Sequence, residues 1–187
     1  MNVYDFDKTI FDGDSTARFI RFIMIHKPVK LLRLPGIGFS ALLFGLKLRN
    51  KQIFKEKLFV SVFTGIDTRA LLADFWAENY SRVKKWYLAQ RKEDDLIISA
   101  SPLSIVLPCC ERLGIKHVMG SPVDLETGLY SGNNCHGEEK VRLFREAYPD
   151  GVIDNFYSDS HSDDPLARVA AKAYMVKGET LTEWKFD

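Results

Sequence analysis

Short apolar segments that end in polar clusters alternate with helical segments along this chain of 187 residues. Apolar runs at residues 1–6, 95–99 and 153–158 are each followed by acidic or hydroxyl side chains. Helices are predicted between such runs at residues 102–113 and 137–148, where proline or glycine stands at a helix start or end. Strands that alternate with helices build a parallel sheet, so the sequence predicts an α/β fold.

The remaining elements of the sheet domain follow from similar local signals. They are strands at residues 116–119 and 173–176, a hairpin at residues 123–130 and a helix at residues 165–171. Ligands bind to open parallel sheets beyond the carboxyl ends of the strands. We therefore expect the polar clusters that follow the strands to meet in one place.

Residues 13–88 interrupt this alternation with helical and basic sequence. The helices predicted there are residues 17–25, 51–63 and 67–88. In the last of them, apolar residues recur at helical spacing. The predicted organisation is a Rossmann-like core made of residues 1–12 and 89–187, with a helical cap of residues 13–88 inserted after the first strand.

The cap is strongly basic, although the chain as a whole is nearly neutral. A formal net charge of +1 argues against a nucleic-acid-binding protein. Residues 15–65 hold ten lysines and arginines and a single acid, so this segment carries +9 and the remainder of the chain carries −8. The two parts of the molecule therefore meet different electrostatic requirements.

Two carboxylates follow the first predicted strand, in the segment Asp5-Phe6-Asp7-Lys8-Thr9. Aspartates are common in turns, so a solvated loop is one interpretation. The catalytic interpretation uses both acids. One attacks phosphorus as a nucleophile, and the other gives a proton to the leaving oxygen and later takes one from water.

A second acidic group follows the apolar run at residues 153–158. Asp159, Asp163 and Asp164 lie close enough in the chain to repel one another unless a cation is present. Acidic capping of the next helix is the alternative explanation. Taken with the two acids of the first loop, the cluster favours a hard-cation site, and Mg²⁺ suits a few carboxylates with water and substrate phosphate.

Ser99 and Lys140 are the other polar residues expected at this edge of the sheet. The hydroxyl of Ser99 and the amides after it, beginning with Ala100, can hold phosphate oxygens, although a serine before a helix is commonly only a cap. Lys140 lies near the start of the helix predicted at residues 137–148. Most helix lysines are solvated, so it can act only if it points toward the ends of the strands.

The order and placement of these signals resemble those of the haloacid dehalogenase superfamily of phosphohydrolases, over essentially the whole chain. Residues 5–9 are similar to its DxDxT motif, whereas Ser99, Lys140 and residues 159–163 are similar to its serine/threonine, lysine and DxxxD motifs. The inserted cap resembles that of the phosphoserine-phosphatase-like branch. Four segments are also similar to bacterial phosphatidylglycerophosphatases of type C: Ser99-Ala100-Ser101-Pro102, Gly137-Glu138-Glu139-Lys140-Val141, Tyr157-Ser158-Asp159-Ser160 and Asp163-Asp164-Pro165-Leu166.

This resemblance implies a role for each matching residue. Asp5 is expected to be the nucleophile and a ligand of Mg²⁺. Asp7 is expected to be the general acid and base, and to bind the metal through its main-chain carbonyl. The other implied roles are Asp159 as the third protein ligand of the metal, Asp163 as the holder of metal-bound water, Ser99, Ala100 and Lys140 as the phosphate-binding residues, and Thr9 as a support of the loop.

The chain departs from the superfamily pattern at two positions. Lys8 stands where glycine is more usual in the first motif, so its side chain is expected either near the phosphate or in solvent. Ser158 and Ser160 flank Asp159 where many members have glycine, which leaves the ligands unchanged.

The cap sequence leaves two substrate classes open. Its basic residues accompany an apolar stretch at residues 39–48, which suits either a small helical bundle with a solvated basic face or contact with an anionic membrane surface. Membrane contact would serve a phospholipid headgroup phosphate, such as that of phosphatidylglycerophosphate. The helical bundle would serve a small soluble phosphomonoester such as phosphoserine. Transfer to an acceptor other than water is a further alternative, whereas an inactive binding protein would have no reason to retain both acids.

The sequence also predicts where the protein resides. The uncharged apolar stretch at residues 34–46 is too short to span a bilayer, and no signal-peptide pattern precedes Asp5. Three cysteines without metal-binding spacing predict buried free thiols in a reducing compartment. A cytoplasmic protein is therefore expected, with peripheral attachment to the inner membrane face as the variant that a lipid substrate would require.

Overall fold

The computed structural model describes residues 1–33 and 51–186, and within them six strands form one sheet. The strands are β1 Asn2–Tyr4, β2 Leu96–Pro102, β3 His117–Ser121, β4 Ile153–Ser158, β5 Ala170–Lys177 and β6 Thr180–Glu183. Their order in the sheet is β3-β2-β1-β4-β5-β6. The first five strands run parallel, and β6 pairs antiparallel with β5. The predicted α/β fold is confirmed.

Helices of the described residues cover both faces of this sheet. The α-helices are α1 Ser15–His26, α2 Lys51–Phe63, α3 Thr68–Asn79, α4 Lys85–Gln90, α5 Leu103–Arg112, α6 Glu138–Ala147 and α7 Asp164–Arg168. Short 3-10 helices lie at Pro28–Arg33, Tyr80–Arg82 and His161–Asp163. Helices α1 to α3 belong to the insertion that the sequence predicts after the first strand.

Two of the predicted helices are wrong in extent. The single helix predicted at residues 67–88 is two helices, α3 and α4, because Val83 adopts extended backbone and pairs with Phe11. The helix predicted at residues 165–171 ends at Arg168, because the residues that follow join β5. Sequence reasoning also missed β6, whose four residues include a single apolar side chain.

The strand order brings the functional loops together. β1 lies between β2 and β4, and the parallel register aligns Tyr4 with both Ile97 and Tyr157. The carboxyl ends of these three strands therefore lie side by side. The chain segments that follow β1 and β4, beginning at Asp5 and Asp159, emerge at the same edge of the sheet.

Two apolar clusters lie on opposite faces of the sheet, because successive residues of β1 point to opposite sides. Val3 joins a cluster with Phe144 of α6 and Phe156 of β4. Tyr4 joins a larger cluster that includes residues of the inserted helices, among them Phe19, Phe59, Phe63, Phe75 and Trp76. The division into core and cap remains a prediction, since the described helices of the insertion share one apolar core with the sheet.

The described residues bear on two other expectations from the sequence. All three cysteines are buried and unpaired, as predicted. In the part of the chain that the structure describes, no helix combines the length and the apolar character needed to cross a bilayer. The apolar stretches at residues 34–46 and 39–48 lie outside the described residues.

Gly128 allows the loop after β3 to approach α2, and its substitution tests this packing. Its φ is 76°, and a Cβ there would lie 2.3 Å from the amide nitrogen of Val60. Gly128→Ala is expected to lower the free energy of unfolding by about 2–4 kcal/mol, from left-handed strain plus overpacking. The control Gly178→Ala, with φ 59° and no atom within 4 Å, carries the strain alone and should cost about 1 kcal/mol. Urea unfolding measures both, and equal losses would contradict the packing against α2.

Candidate active site

A cavity of about 240 Å³ opens at the carboxyl ends of β1, β2 and β4. Every residue predicted to act in catalysis, metal binding or phosphate binding lines it, and Thr9 lies just outside its lining. The lining residues are Asp5, Asp7, Lys8, Asp14, Lys55, Ser99, Ala100, Ser101, His136, Lys140, Asp159, Ser160, Ser162 and Asp163. The fold therefore brings together residues that lie more than a hundred positions apart in the sequence.

Lys140 forms the floor of this cavity between two carboxylates. Its side chain is 1% exposed, and its Nζ donates to Asp5 Oδ1 at 2.7 Å and to Asp163 Oδ2 at 2.8 Å. Ser158, at the end of β4, donates its hydroxyl to the same oxygen of Asp163 at 2.7 Å. The helix that carries Lys140 begins after Gly137, whose φ of 61° turns the chain toward the site. The lysine thus joins the ends of β1 and β4.

The charges in the cavity perturb one another strongly. Burial raises the pKa of Asp5 to about 7, the attraction of Lys140 opposes this rise, and Asp163 adds to it. Burial by itself would lower the pKa of Lys140, but Asp5 and Asp163 raise it above its ordinary value. Burial also raises the pKa of Asp7 and of Asp159, although the ammonium of Lys8 partly offsets the rise at Asp159. Burial is thus the main cause of the raised pKa at each of these three carboxylates.

The excess of carboxylates over lysines in the cavity is consistent with a divalent cation. Five aspartates and three lysines line the cavity, which leaves a negative excess. Within residues 1–33 and 51–186, no three side chains of His, Cys, Asp or Glu form a metal-binding group by themselves. Asp5 and Asp159 nevertheless place two carboxylates on one cavity beside the main chain of Asp7. Mg²⁺ needs no more, since it usually binds one or two carboxylates and keeps several waters.

Asp7 is held by residues that sequence reasoning missed. Its Oδ1 accepts from the amide of Ser15 at 2.7 Å, and its Oδ2 accepts from the hydroxyl of Ser101. Thr16 donates its hydroxyl to Ser101 Oγ at 2.7 Å. Because Ser15 and Thr16 begin α1, the insertion itself orients the carboxylate of Asp7. A signal for Ser101 was available, since it belongs to the polar cluster Ser99-Ala100-Ser101 at the end of the second predicted strand.

Helix α2 of the insertion also reaches the cavity, through Lys55. Its Nζ donates to the carbonyl of Ala100 at 3.1 Å and to Asn134 Oδ1 at 3.0 Å. Ser99 Oγ accepts from the amide of Ser101 at 3.1 Å, within the irregular part of β2 between Ile98 and Pro102. Lys55 is one of ten basic residues between positions 15 and 65, and no local pattern distinguishes it from the others.

Thr9 lies behind the first loop. Its buried hydroxyl donates to Asp5 Oδ2 over a long distance of 3.4 Å. This position suits a support of the loop, and that role stays a prediction.

The sequence model of the family described as haloacid dehalogenase-like hydrolase matches residues 3–168. The chain belongs to this family. The match spans β1 to α7 and therefore includes every residue of the candidate site.

Individual curated proteins match a smaller part of the chain than the family model does. A probable phosphatase, Rv3661, of Mycobacterium tuberculosis (strain ATCC 25618 / H37Rv) is 33% identical over 93 residues, which cover 44% of this chain and 31% of that protein. The chain thus spans about a third of the length of the curated relative that it matches.

Two solved structures share the fold. One is a protein of unknown function from Bordetella pertussis Tohama I, with a TM-score of 0.73, 17% identity and coverage of 92% of this chain and 87% of that one. The other is a phosphoserine phosphohydrolase-like protein from Francisella tularensis subsp. tularensis SCHU S4, with a TM-score of 0.61, 17% identity and coverage of 92% and 86%. At these identities the likeness shows the fold alone.

The first loop of this haloacid dehalogenase-like hydrolase contains a left-handed lysine. Lys8 has a φ of 57°, and among the described residues no other non-glycine residue has a positive φ. Its amide donates to the carbonyl of Gly13 at 2.9 Å. Its carbonyl accepts from the ammonium of Lys84, a side chain that is largely buried. The side chain of Lys8 is exposed and also lines the cavity, so it lies both at the candidate site and in contact with solvent.

Replacement of Lys8 by glycine should relieve this backbone strain. Lys8→Gly is expected to raise the free energy of unfolding by about 0.5–1 kcal/mol, because relief of the left-handed conformation outweighs the added freedom of the unfolded chain. Lys8→Ala is the matched control, since it removes the charge but keeps the Cβ, and it should not stabilise the protein. Urea unfolding of the three proteins measures the effect. Equal stabilisation by alanine would place the strain in the side chain and contradict the backbone explanation.

Proposed function

We propose that this hydrolase cleaves phosphate monoesters through an aspartyl-phosphate on Asp5, with Mg²⁺ as its cofactor. The observation that carries the proposal is the buried contact of Lys140 with Asp5 and Asp163, in the same cavity as Asp7 and Ser99. A nucleophile, a proton donor and a fixed cation are the parts that phosphoryl transfer needs.

The proposed reaction has two displacements at phosphorus. In the first, a carboxylate oxygen of Asp5 forms a bond to phosphorus while the bond to the leaving oxygen breaks, and Asp7 gives its proton to that oxygen. In the second, Asp7 takes a proton from water as the water oxygen attacks the acyl phosphate, which releases inorganic phosphate and restores Asp5. Burial favours the protonated form of Asp7, as the first step requires.

The other polar residues of the cavity would bind the transferred group and the metal. Lys140 and the hydroxyl of Ser99, with the amide of Ala100, would hold the phosphoryl oxygens, and donors fixed in advance stabilise the charge of the transition state. Asp5, Asp159 and the main-chain carbonyl of Asp7 would hold Mg²⁺. Asp163 would hold a water bound to the metal. The bound ion supplies positive charge that offsets the charges of the nucleophile and the phosphate.

We further propose that the substrate is the headgroup phosphate of a phospholipid, which the enzyme reaches at an anionic membrane surface. The basic segment at residues 15–65 supports this substrate. The end of α1 and the 3-10 helix that follows it support this substrate too. Ile25 and Val29 are each 64% exposed, and the cations Arg21 and Lys27 close to them in the chain are also exposed. Exposed aliphatic side chains among cations favour the interface of an anionic bilayer.

A small soluble phosphomonoester such as phosphoserine is the second candidate substrate. The fold shared with a phosphoserine phosphohydrolase-like protein favours it. The cavity volume of about 240 Å³ also suits a compact molecule.

Removal of the nucleophile tests the chemistry. Asp5→Asn keeps the shape of the side chain but should reduce phosphate release by about 10³-fold or more. Release is measured with and without Mg²⁺ from phosphatidylglycerophosphate in mixed micelles, phosphoserine and p-nitrophenyl phosphate. The control Asp150→Asn changes an exposed aspartate outside the cavity and should keep full activity. Activity that survives Asp5→Asn, or that is indifferent to chelation of the metal, would contradict the mechanism.

Vesicle co-sedimentation tests the membrane surface. The enzyme is expected to bind vesicles that contain phosphatidylglycerol more strongly than vesicles of phosphatidylcholine alone, and salt should weaken this binding because it screens charge. Ile25→Glu should reduce the bound fraction several-fold, since it places a negative charge at the anionic surface. Leu129→Glu is the matched control, because Leu129 is 50% exposed on a different part of the molecule. Equal losses for the two variants would remove the reason to place α1 at the membrane.

A further inference from the structure

Lys8 lines the cavity in a backbone conformation that costs the chain free energy. Any residue other than glycine is strained at a φ of 57°, and strain of this kind concentrates where function requires it. The loop nevertheless presents a lysine there, with its side chain on the cavity wall. The presence of lysine at this position is thus better explained by a group that its ammonium binds than by the turn that its backbone forms.

The turn at Lys8 is held by the segment that returns from the insertion. The ammonium of Lys84 donates to the carbonyl of Lys8, and the amide of Lys84 donates to the carbonyl of Ile10 at 2.8 Å. The amide of Asp12 donates to the carbonyl of Arg82 at 2.9 Å, and Phe11 pairs with Val83. These hydrogen bonds fix the turn, and they keep the side chain of Lys8 on the cavity side.

The position of Lys8 corresponds to the leaving-group side of the reaction. It adjoins Asp7, which gives the proton to the leaving oxygen in the proposed reaction. It is exposed, whereas Lys140, the cation that would bind the transferred phosphoryl group, is buried at the floor. The cavity lining also carries the carboxylates of Asp14 and Asp159, which would repel an anionic leaving group if no cation were present there.

We propose that Lys8 is a specificity-determining residue that binds a second acidic group, carried by the alcohol part of the substrate. This inference rests on the proposed function and narrows its substrate class to phosphomonoesters with such a group. A phospholipid provides it as a phosphodiester, and phosphoserine provides it as a carboxylate. A salt contact at this position raises the affinity for acidic substrates over neutral ones and leaves the bond-breaking steps to the buried residues.

Pairs of soluble substrates with and without the second acidic group test the proposal. Phosphoserine is compared with phosphoethanolamine, and deacylated phosphatidylglycerophosphate, which keeps the phosphodiester, is compared with glycerol phosphate. For each pair, kcat and KM are measured with the wild-type enzyme, Lys8→Met and Lys8→Arg. Lys172→Met is the control, since Lys172 is an exposed lysine on β5 outside the cavity.

Lys8→Met is expected to lower the kcat/KM ratio of the acidic substrate to its partner by about tenfold or more, mainly through KM. Lys8→Arg should largely restore the ratio, and Lys172→Met should leave it as in the wild type. A response confined to one pair identifies the phosphodiester or the carboxylate as the group bound. If Lys8→Met lowers kcat/KM for both members of each pair equally, Lys8 acts on the transferred phosphate or on the loop, and the proposal is overturned.

Failure of the proposed function gives a different result from failure of this inference about Lys8. If the wild-type enzyme releases phosphate from none of these substrates, the substrate classes of the proposed function fail. Calorimetric titration of the wild type and of Lys8→Met with phosphoserine and phosphoethanolamine then tests Lys8 on its own. A loss of affinity for phosphoserine alone supports the inference, whereas unchanged affinities, or no binding to either protein, overturn it.

Discussion

The contact of Lys140 with Asp5 and Asp163 is the interaction on which the site depends. A buried ammonium between two carboxylates costs desolvation energy, so such a group is weak evidence for stability and better evidence for function. Its geometry joins three elements that are distant in the chain: the loop after β1, helix α6 and the loop after β4. A single side chain thereby sets the distance between the candidate nucleophile and the acidic loop.

The inserted helices form part of the site as well as its cover. Ser15 and Thr16, at the start of α1, orient Asp7 directly and through Ser101. Lys84, where the chain returns to the sheet, holds the turn at Lys8. Both ends of the insertion are thus tied to the loop that carries the candidate acids. A shift of these helices would change the orientation of the Asp7 carboxylate, because the start of α1 is hydrogen-bonded to it directly and through Ser101.

The charges of the two parts of the chain complement each other. The cavity holds more carboxylates than lysines, which suits a divalent cation, whereas the segment at residues 15–65 carries +9. Cations from that segment reach the cavity at Lys55 and lie on the surface at Arg21 and Lys27. An anionic substrate would therefore meet the ammonium of Lys55 as well as the carboxylates of the cavity. This arrangement suits a phosphate ester, which needs attraction from a distance and a bound cation at the phosphorus.

The sequence by itself determined the α/β fold, the family and the positions of the acids, because apolar runs that end in polar residues are local signals that tertiary contacts do not alter. It predicted the bounds of α2 and β4 as the structure has them. It could not predict the break at Val83, where pairing with Phe11 outweighs the helical pattern of the segment. The contacts of Lys55 and Ser101 and the place of Lys8 on the cavity were likewise decided by the tertiary structure. A lysine or a serine has no local signature of function, and what it does depends on which distant carbonyl or carboxylate the fold places beside it.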